Sequence, residues 1–206
     1  MIQIYYAPPS IYGRKVLAVL EEKGLDYEIK KMSFQAREFD GEEYKKLNPN
    51  GEIPTLIDDG FVVYESTAII EYLNDEYPEP PLLGEDSASR ARARMVEDYC
   101  DLHFYRDLIR CFIKKAVKGE ALTEEDTKPL QAHLTRIENY LGSQAFIVGD
   151  FSLADCAVMV ALASLEALGL ELAISKPLED YFKRLKSRPG YKGANLMSFE
   201  AVTSKS

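Results

Sequence analysis

The sequence predicts an α+β protein in which a mixed strand-and-helix unit precedes an all-helical bundle. Residues 1–80 alternate strand and helix signals in the order βαβαββα, and no convincing strand follows them. The charge also changes there: residues 1–80 hold 8 Lys and Arg against 16 Asp and Glu, a net −8, and the rest hold 17 against 18, a net −1. We therefore expect a first domain at 1–80, a linker at 81–88 and a helical domain at 89–206.

The strands and helices of the first unit follow from short apolar patterns and their breakers. Met1–Tyr6 is rich in β-formers, and the apolar positions from Ser10 to about Lys23 fall on one helical face that Gly24 ends. Asp59-Gly60 between two apolar runs is a strong hairpin signal. The full set of predicted elements is strands at 1–6, 27–32 and twice within 55–64, and helices at 10–23, 41–47 and 65–77.

The second unit contains longer helical patterns. Pro78, Pro80 and Pro81 end the preceding helix and begin the linker. Ser152-Leu-Ala-Asp155 is a capping box, in which the serine side chain accepts from the third helical N–H and the aspartate reaches back, so we assign both residues a structural role. The predicted helices span 89–117, 123–141, 152–168 and 177–187.

Composition disfavours several classes of partner. The chain has 206 residues, of which 46% are hydrophobic and 29% charged, which suits a globular protein with a substantial core. A formal net charge of −9 disfavours nucleic acid or an acidic membrane as a partner. No apolar run approaches the roughly 18 residues needed to span a bilayer, and no charged-then-apolar leader opens the sequence.

The cysteines and histidines predict neither disulfides nor a metal site. Cys100, Cys111 and Cys156 are odd in number and lack a C-x-x-C spacing, so we expect buried thiols in a reducing cytoplasm. His103 and His133 stand thirty residues apart. We expect no bound metal.

The stretch from Asn48 to Leu56, with Glu65-Ser66 shortly after it, indicates a peptide-binding site. Pro54 removes a backbone donor at the head of a strand and its bond to Ile53 can adopt cis, so the main chain of Ile53 is free to pair with an extended ligand. Ser66 lies where a helix begins, and the free N–H groups of its first turn form an anion site. A peptide with a terminal carboxylate fits both features.

Taken together, these motifs resemble the cytosolic glutathione transferase family over nearly the whole chain. The resemblance rests on Tyr6-Ala-Pro-Pro-Ser10, Arg14-Lys15-Val16, Asn48-Pro49, Ile53-Pro54-Thr55-Leu56, Glu65-Ser66 and the Ser152–Asp155 box. It implies a thioredoxin-like first domain and an all-α second domain. It also implies a homodimer, in which Arg90, Arg92 or Arg94 pairs with Asp75 or Glu76 of a second copy.

The resemblance implies roles for individual residues in binding glutathione. Ile53 makes main-chain bonds to the cysteinyl part, with Pro54 cis, and Glu65 and Ser66 hold the γ-glutamyl end. Arg37 lies in the segment that meets the glycine carboxylate, as does Lys46. 

Ser10 matches the serine-type branches of the family, in which a hydroxyl supports the thiolate. Tyr6 and Tyr12 are alternative donors. Ser10 could also serve only as the N-cap of the first helix. The second substrate, a small hydrophobic electrophile, is expected in a pocket formed by Tyr12, Phe34, Tyr99, His103, Phe104 and Arg106, because residues 99, 103 and 106 follow i, i+4, i+7 spacing.

The implied activity is a glutathione transferase of the kind that serves detoxification. Two alternatives stay open: a binding module without turnover, as in stress-response relatives, and a glutathione-dependent peroxidase, dehalogenase or lyase on the same fold. The Ser-Ser-Cys turn of the maleylacetoacetate isomerase branch is missing, which argues against that activity.

Overall fold

The computed structural model describes residues 1–8, 10–170 and 172–194, so the end of the predicted second domain, residues 195–206, lies outside the described residues. The first half forms four strands and three helices in the predicted order. They are β1 (Ile2–Tyr6), α1 (Ile11–Glu22), β2 (Tyr27–Lys31), α2 (Glu42–Lys45), β3 (Thr55–Asp58), β4 (Phe61–Tyr64) and α3 (Ser66–Glu76). A single 3₁₀ turn, Glu38–Asp40, precedes α2.

The strands form one mixed sheet in the order β2-β1-β3-β4. β1 pairs with β2 in parallel and with β3 antiparallel, and Tyr5 lies opposite Thr55. The predicted hairpin turn is confirmed, because Asp59 and Gly60 both adopt the positive φ that such a turn requires (44° and 91°). β1 and β3 are the two central strands and run in opposite directions. The segment after β1 and the segment before β3 therefore meet at the same end of the sheet.

Helix α1 begins beside that end of the sheet. Val16, Val19 and Leu20 are fully buried in the same hydrophobic core as Ile4 of β1, and the helix packs most extensively against α3 and helices of the second half. A Cβ at Gly13 would come within 2.4 Å of Tyr6 Cδ2, so the tyrosine ring packs directly on the first turn of the helix. Only glycine permits this close approach.

The second half contains helices joined by loops, and no strand, in the part that the structure describes. Its elements are α4 (Ser87–Tyr99), α5 (Tyr105–Phe112), α6 (Glu124–Leu141), α7 (Leu153–Ala167), α8 (Lys176–Lys186) and α9 (Pro189–Gly193). Helices α4 and α5 form one continuous rod, as the sequence predicts, with π-helical segments at Cys100–Phe104 and Ile113–Val117. The i→i+5 bonds are made by Tyr105 N–H to Cys100 and by Lys118 N–H to Ile113.

Helix α7 lies at the centre of the molecule and packs against both α1 and α4. The predicted capping box at its start is present: Asp155 Oδ2 accepts from the Ser152 N–H (2.9 Å) and hydroxyl (2.9 Å). Asp155 Oδ1 accepts from Ile147 N–H (3.0 Å) and from the Tyr181 hydroxyl (2.6 Å). Burial raises the pKa of Asp155 to about 6.

Two further findings concern the thiols and the helices. Cys100, Cys111 and Cys156 are buried and free, as predicted. Of the helices described, none combines the length and the apolar character needed to cross a bilayer.

Candidate functional site

A cleft of about 790 Å³ lies between this end of the sheet and the continuous helical rod formed by α4 and α5. The sheet half contributes the segment after β1, the segment before β3 and the start of α3. The fold therefore brings together seven of the residues that the sequence predicts for the site: Ser10, Tyr12, Phe34, Ile53, Pro54, Glu65 and Ser66.

Ser10 is both the N-cap of α1 and a lining residue of the cleft. Its Oγ accepts a hydrogen bond from Gly13 N–H (3.1 Å), which fixes the position of the oxygen. A hydroxyl has one donor in addition to its acceptor sites. Because the cap uses only an acceptor site, the O–H of Ser10 is available to a ligand atom. The capping role and a catalytic role are therefore compatible.

The two tyrosines considered as alternatives already use their hydroxyl donors. Tyr6 donates to the Pro8 carbonyl (2.8 Å) and lies outside the described lining of the cleft. Tyr12 lines the cleft but donates to the main-chain carbonyl of Asp101 (3.3 Å). Burial raises the pKa of both phenols. This geometry favours Ser10 as the donor to a thiolate.

Ile53 lies just before the start of β3 and is joined to Pro54 by a cis peptide bond. No described residue hydrogen-bonds to the main chain of Ile53. The loop around it is held firmly, because the Asn48 amide (2.8 Å) and the Tyr44 hydroxyl (2.6 Å) both donate to the Glu52 carbonyl. A fixed loop with an open main-chain edge is suited to pairing with an extended peptide.

The start of α3, where the sequence predicts an anion site, lines the cleft. Glu65 adopts a φ of 69°, a left-handed conformation that is costly for a side chain with a Cβ. Asn50 Nδ2 donates to Glu65 Oε1 (3.2 Å) and helps to hold it. Ser66 is the first helical residue, and Ser66 and Thr67 line the cleft, so the first turn of the helix, whose N–H groups have no partner within the helix, lies beside the cleft.

Sequence reasoning missed a buried charge cluster behind this helix. Lys15 Nζ lies 2.6 Å from Asp101 Oδ2 and also pairs with Glu97. Thr67 Oγ1 (3.3 Å) and Ser66 Oγ (3.4 Å) donate to the same Asp101 oxygen. The other oxygen, Asp101 Oδ1, is buried and has no hydrogen-bond partner among the described residues, although Asp101 lines the cleft. The i, i+4 spacing of Glu97 and Asp101 was the available signal.

The basic residues predicted for the glycine carboxylate lie elsewhere. Arg37 pairs with Asp40 and is outside the described lining, and Lys46 pairs with a glutamate of its own helix. Lys45 lies closer: a Cβ at the lining residue Gly51 would come within 2.9 Å of Lys45 Cε. The Lys45 side chain therefore lies against a lining residue, and the sequence prediction did not include it.

The predicted electrophile wall needs correction. Tyr99 and His103 line a second cleft of about 560 Å³ that adjoins the first at Asp98 and Leu102. Phe104 is fully buried with its ring stacked on His133 at 4.8 Å. The Arg106 side chain is exposed and does not line the first cleft in the described part. Only the prediction of Tyr12 and Phe34 in the first cleft agrees with the structure.

The prediction of the wall was wrong because the helical rod changes the direction in which its side chains face along its length. The π-helical segment Cys100–Phe104 inserts extra backbone per turn, so residues before and after it do not keep the 3.6-residue phase that the i, i+4, i+7 argument assumes. The rod instead turns a different set of residues toward the first cleft: Asp98, Asp101, Leu102, Ile109, Phe112, Ile113 and Val117.

Comparison with protein families gives two matches that agree with this architecture. Residues 9–76 match the model described as glutathione S-transferase, N-terminal domain. Residues 101–189 match the model described as glutathione S-transferase, C-terminal domain. The first match contains the sheet half of the cleft, and the second contains most of the wall of the rod.

Three similar proteins illustrate the range of names within these matches. A stringent starvation protein A homologue of Haemophilus influenzae is 32% identical over 189 residues, with 88% of this chain and 84% of that protein covered. A maleylacetoacetate isomerase of Pseudomonas aeruginosa is 33% identical over 182 residues, with 82% of each covered. The solved structure of a delta-class glutathione transferase from Nilaparvata lugens superposes with a TM-score of 0.85 at 32% identity, covering 94% of this chain and 92% of that chain. This chain belongs to the glutathione S-transferase family.

Proposed function

We propose that the protein is a glutathione transferase that binds glutathione in the first cleft, holds its sulfur as a thiolate and directs it to an electrophile. One observation carries the proposal. The Ser10 hydroxyl, with its donor available, lines the same cleft as the open main chain of Ile53 and the N-terminus of α3 at Ser66. A tripeptide thiol with a carboxylate at one end matches all three.

The chemistry required of the protein is modest. A free cysteine thiol has a pKa of about 8.5, and only the thiolate is a good nucleophile. The Ser10 O–H and the N-terminus of α1 each favour the anion by on the order of 1 kcal/mol, and one pKa unit corresponds to about 1.4 kcal/mol. Together they lower the pKa of the bound thiol by about one and a half units, to about 7, so that roughly half of it is ionised at neutral pH. The thiolate then forms a C–S bond to the electrophile as the leaving group departs or a proton is added.

The remaining groups of glutathione have matching partners. The γ-glutamyl carboxylate binds the N–H groups at Ser66, and the adjacent ammonium meets Glu65 and the unpartnered oxygen of Asp101. The main chain of Ile53 pairs with the cysteinyl residue. Lys45, rather than Arg37, meets the glycine carboxylate.

A non-catalytic binding module is the second candidate, favoured by the relative named stringent starvation protein A homologue. A glutathione-dependent peroxidase, dehalogenase or lyase would use the same thiolate and differ only in the electrophile. The name of the maleylacetoacetate isomerase relative does not carry over, because the turn before α1 lacks its Ser-Ser-Cys motif.

We further propose that the protein acts as a homodimer in the cytoplasm. Arg94 is committed within its own chain, since its guanidinium makes a two-pronged ion pair with Glu71 (2.6 and 2.8 Å). Arg90 and Arg92 are left for contact with Asp75 or Glu76 of a second copy. Sedimentation of a monomer at micromolar concentration would rule this dimer out.

The test of the proposed function is an ultraviolet difference titration of glutathione on the wild-type protein and on Ser10→Ala. We expect a thiolate band with an apparent pKa one to two units below that of the free thiol, and its loss in the variant. Ser175→Ala is the matched control, because Ser175 caps α8 through the Leu178 N–H (3.3 Å) in the same way but lies outside the described lining of the cleft.

Each outcome of the titration decides between the candidates. Binding of glutathione with no thiolate band would favour the binding module. A band that survives in Ser10→Ala would assign the donor to Tyr12 or Tyr6. No binding at all would overturn the proposed function.

A further inference from the structure

We propose that the electrophile is an extended, uncharged apolar molecule, such as a long-chain or multi-ring compound, and that Ile113 and Val117 select it by length. This inference rests on the proposed function and narrows its substrate class. It departs from the small electrophile that the sequence resemblance implies.

The first support is the distribution of exposed apolar side chains. The described residues include nine large hydrophobic side chains that are exposed, and four of them line this one cleft. They are Phe34 (44% exposed), Leu102 (64%), Ile113 (42%) and Val117 (59%). A concentration of exposed apolar surface at the mouth of a cleft marks a binding surface. Because Ser10 lines the same cleft, the second substrate of the thiolate is the occupant that this surface fits.

The second support is the length of the apolar wall. Ile109, Phe112, Ile113 and Val117 follow one another along α5 and the π-helical segment that continues it. At about 1.5 Å per residue, the wall from residue 109 to residue 117 extends roughly 12 Å. A single small ring covers only part of it. A long chain would cover Ile113 and Val117 as well, and would remove from water surface that is otherwise exposed.

The third support is the charge of the cleft. Among the described lining residues, the ones that carry charge are Glu52, Glu65, Asp98 and Asp101, all carboxylates. No lysine, arginine or histidine of the described chain is among the lining residues, and Lys45 lies beside Gly51, where the glycine carboxylate of glutathione is proposed to bind. An electrophile with its own carboxylate would lose hydration against the apolar wall and meet charge of the same sign. An uncharged substrate pays neither cost.

The test uses S-alkylglutathiones, which are inert and report binding without turnover. We would titrate S-methyl, S-butyl, S-hexyl and S-octyl glutathione calorimetrically, together with S-(ω-carboxyalkyl) analogues of equal length. We expect affinity to rise about two- to four-fold per methylene along the alkyl series, the range given by burial of one methylene. The carboxyalkyl analogues should bind at least ten-fold more weakly than alkyl analogues of the same length.

Variants identify the residues responsible. Ile113→Ser and Val117→Ser should lower the affinity for S-octylglutathione far more than the affinity for S-methylglutathione, and so flatten the gain between the S-butyl and S-octyl compounds. Ile174→Ser is the matched control, since Ile174 is similarly exposed (47%) but does not line the cleft. It should change neither.

The outcomes separate this inference from the proposed function. If neither glutathione nor any S-alkylglutathione binds, the proposed function fails. If S-methylglutathione binds and longer chains bind no better, or the carboxyalkyl analogues bind equally well, the length and charge selection is wrong. The assignment to Ile113 and Val117 is wrong if Ile174→Ser flattens the series to the same degree.

Discussion

Lys15 Nζ and Asp101 Oδ2 lie 2.6 Å apart and join the first helix of the sheet half to the rod of the helical half. The Lys15 side chain is fully buried and pairs with Glu97 as well. The pair lies directly behind Ser66 and Thr67, at the start of α3. The position of the rod relative to the sheet, and with it the width of the cleft, is therefore fixed in part by one buried cation.

Replacing Lys15 with methionine should destabilise the protein severely. The change removes the cation and leaves Glu97 and Asp101 as uncompensated buried carboxylates, which costs about 3–5 kcal/mol. Urea unfolding followed by circular dichroism measures the loss. Lys46→Met is the control, because the Lys46 pair is exposed and contributes less than about 1 kcal/mol. Equal losses of unfolding free energy in the two variants would show that the buried cluster contributes no more to stability than an exposed ion pair does.

Asp101→Asn should weaken discrimination for the α-amino group of glutathione. The neutral side chain keeps the size of Asp101 but loses the charge of the unpartnered Oδ1. A charge-assisted hydrogen bond contributes about 1.5–3 kcal/mol, so we expect the preference for glutathione over its glutaryl analogue, which lacks the amino group, to fall by ten-fold or more. Calorimetric titration of both ligands gives the ratio.

Glu97→Gln is the matched control for Asp101→Asn. It removes one carboxylate charge from the same cluster, but Glu97 does not line the cleft among the residues described. The ligand ratio should stay at the wild-type value in this variant. A ratio that falls equally in both variants would mean that the charge of the cluster as a whole, and not a contact to Asp101, is responsible.

The corrected electrophile wall predicts opposite results for two aromatic residues. Phe112→Ala should weaken binding of S-hexylglutathione several-fold, because Phe112 lines the first cleft. Tyr99→Phe should leave this binding unchanged, because Tyr99 faces the second cleft. Weaker binding in Tyr99→Phe, with none in Phe112→Ala, would restore the wall predicted from the sequence.

Tyr99→Phe should instead lower the free energy of unfolding. His133 Nε2 lies 3.0 Å from Asp107 Oδ2, a carboxylate oxygen that can only accept, so Nε2 carries the ring proton. The other ring nitrogen, Nδ1, then accepts from the Tyr99 hydroxyl. Removing the hydroxyl leaves a largely buried ring nitrogen without its donor, at a cost of about 1–3 kcal/mol. Denaturant unfolding of the variant beside the wild type measures this change.

Asp155 should give the protein a measurable dependence of stability on pH. Burial raises the pKa of its carboxyl from 3.8 to about 6 in the folded state. The folded state therefore holds a proton more tightly than the unfolded chain does. The contribution of Asp155 is fully present below pH about 4 and is lost as pH rises through about 6, by roughly 3 kcal/mol in all.

Unfolding of the wild type and of Asp155→Asn between pH 4 and 7.5 tests this. The asparagine does not titrate, so the difference in unfolding free energy between the two proteins should change in favour of the variant as pH rises. A difference that stays constant over that range would show that the carboxyl of Asp155 does not titrate there.

Local signals in the sequence predict those parts of the fold and site that depend on neighbouring residues. The order of strands and helices along the chain, the Asp59-Gly60 hairpin, the Ser10 cap and the capping box at Ser152 each follow from residues within a few positions of one another. The open main chain of Ile53 was likewise predicted from its immediate neighbour, Pro54. Such features are set by backbone preference and hydrogen bonds that close over short loops.

The parts that only the tertiary structure decided depend on contacts between distant segments. Lys15 and Asp101 are 86 residues apart in the chain, and nothing local to either residue indicates the other. The face of the rod that meets the cleft depends on its rotation after the π-helical segment Cys100–Phe104, which a regular 3.6-residue period does not predict. Periodicity shows that a helix has an apolar face, but the packing of the whole molecule selects which side chains complete the site.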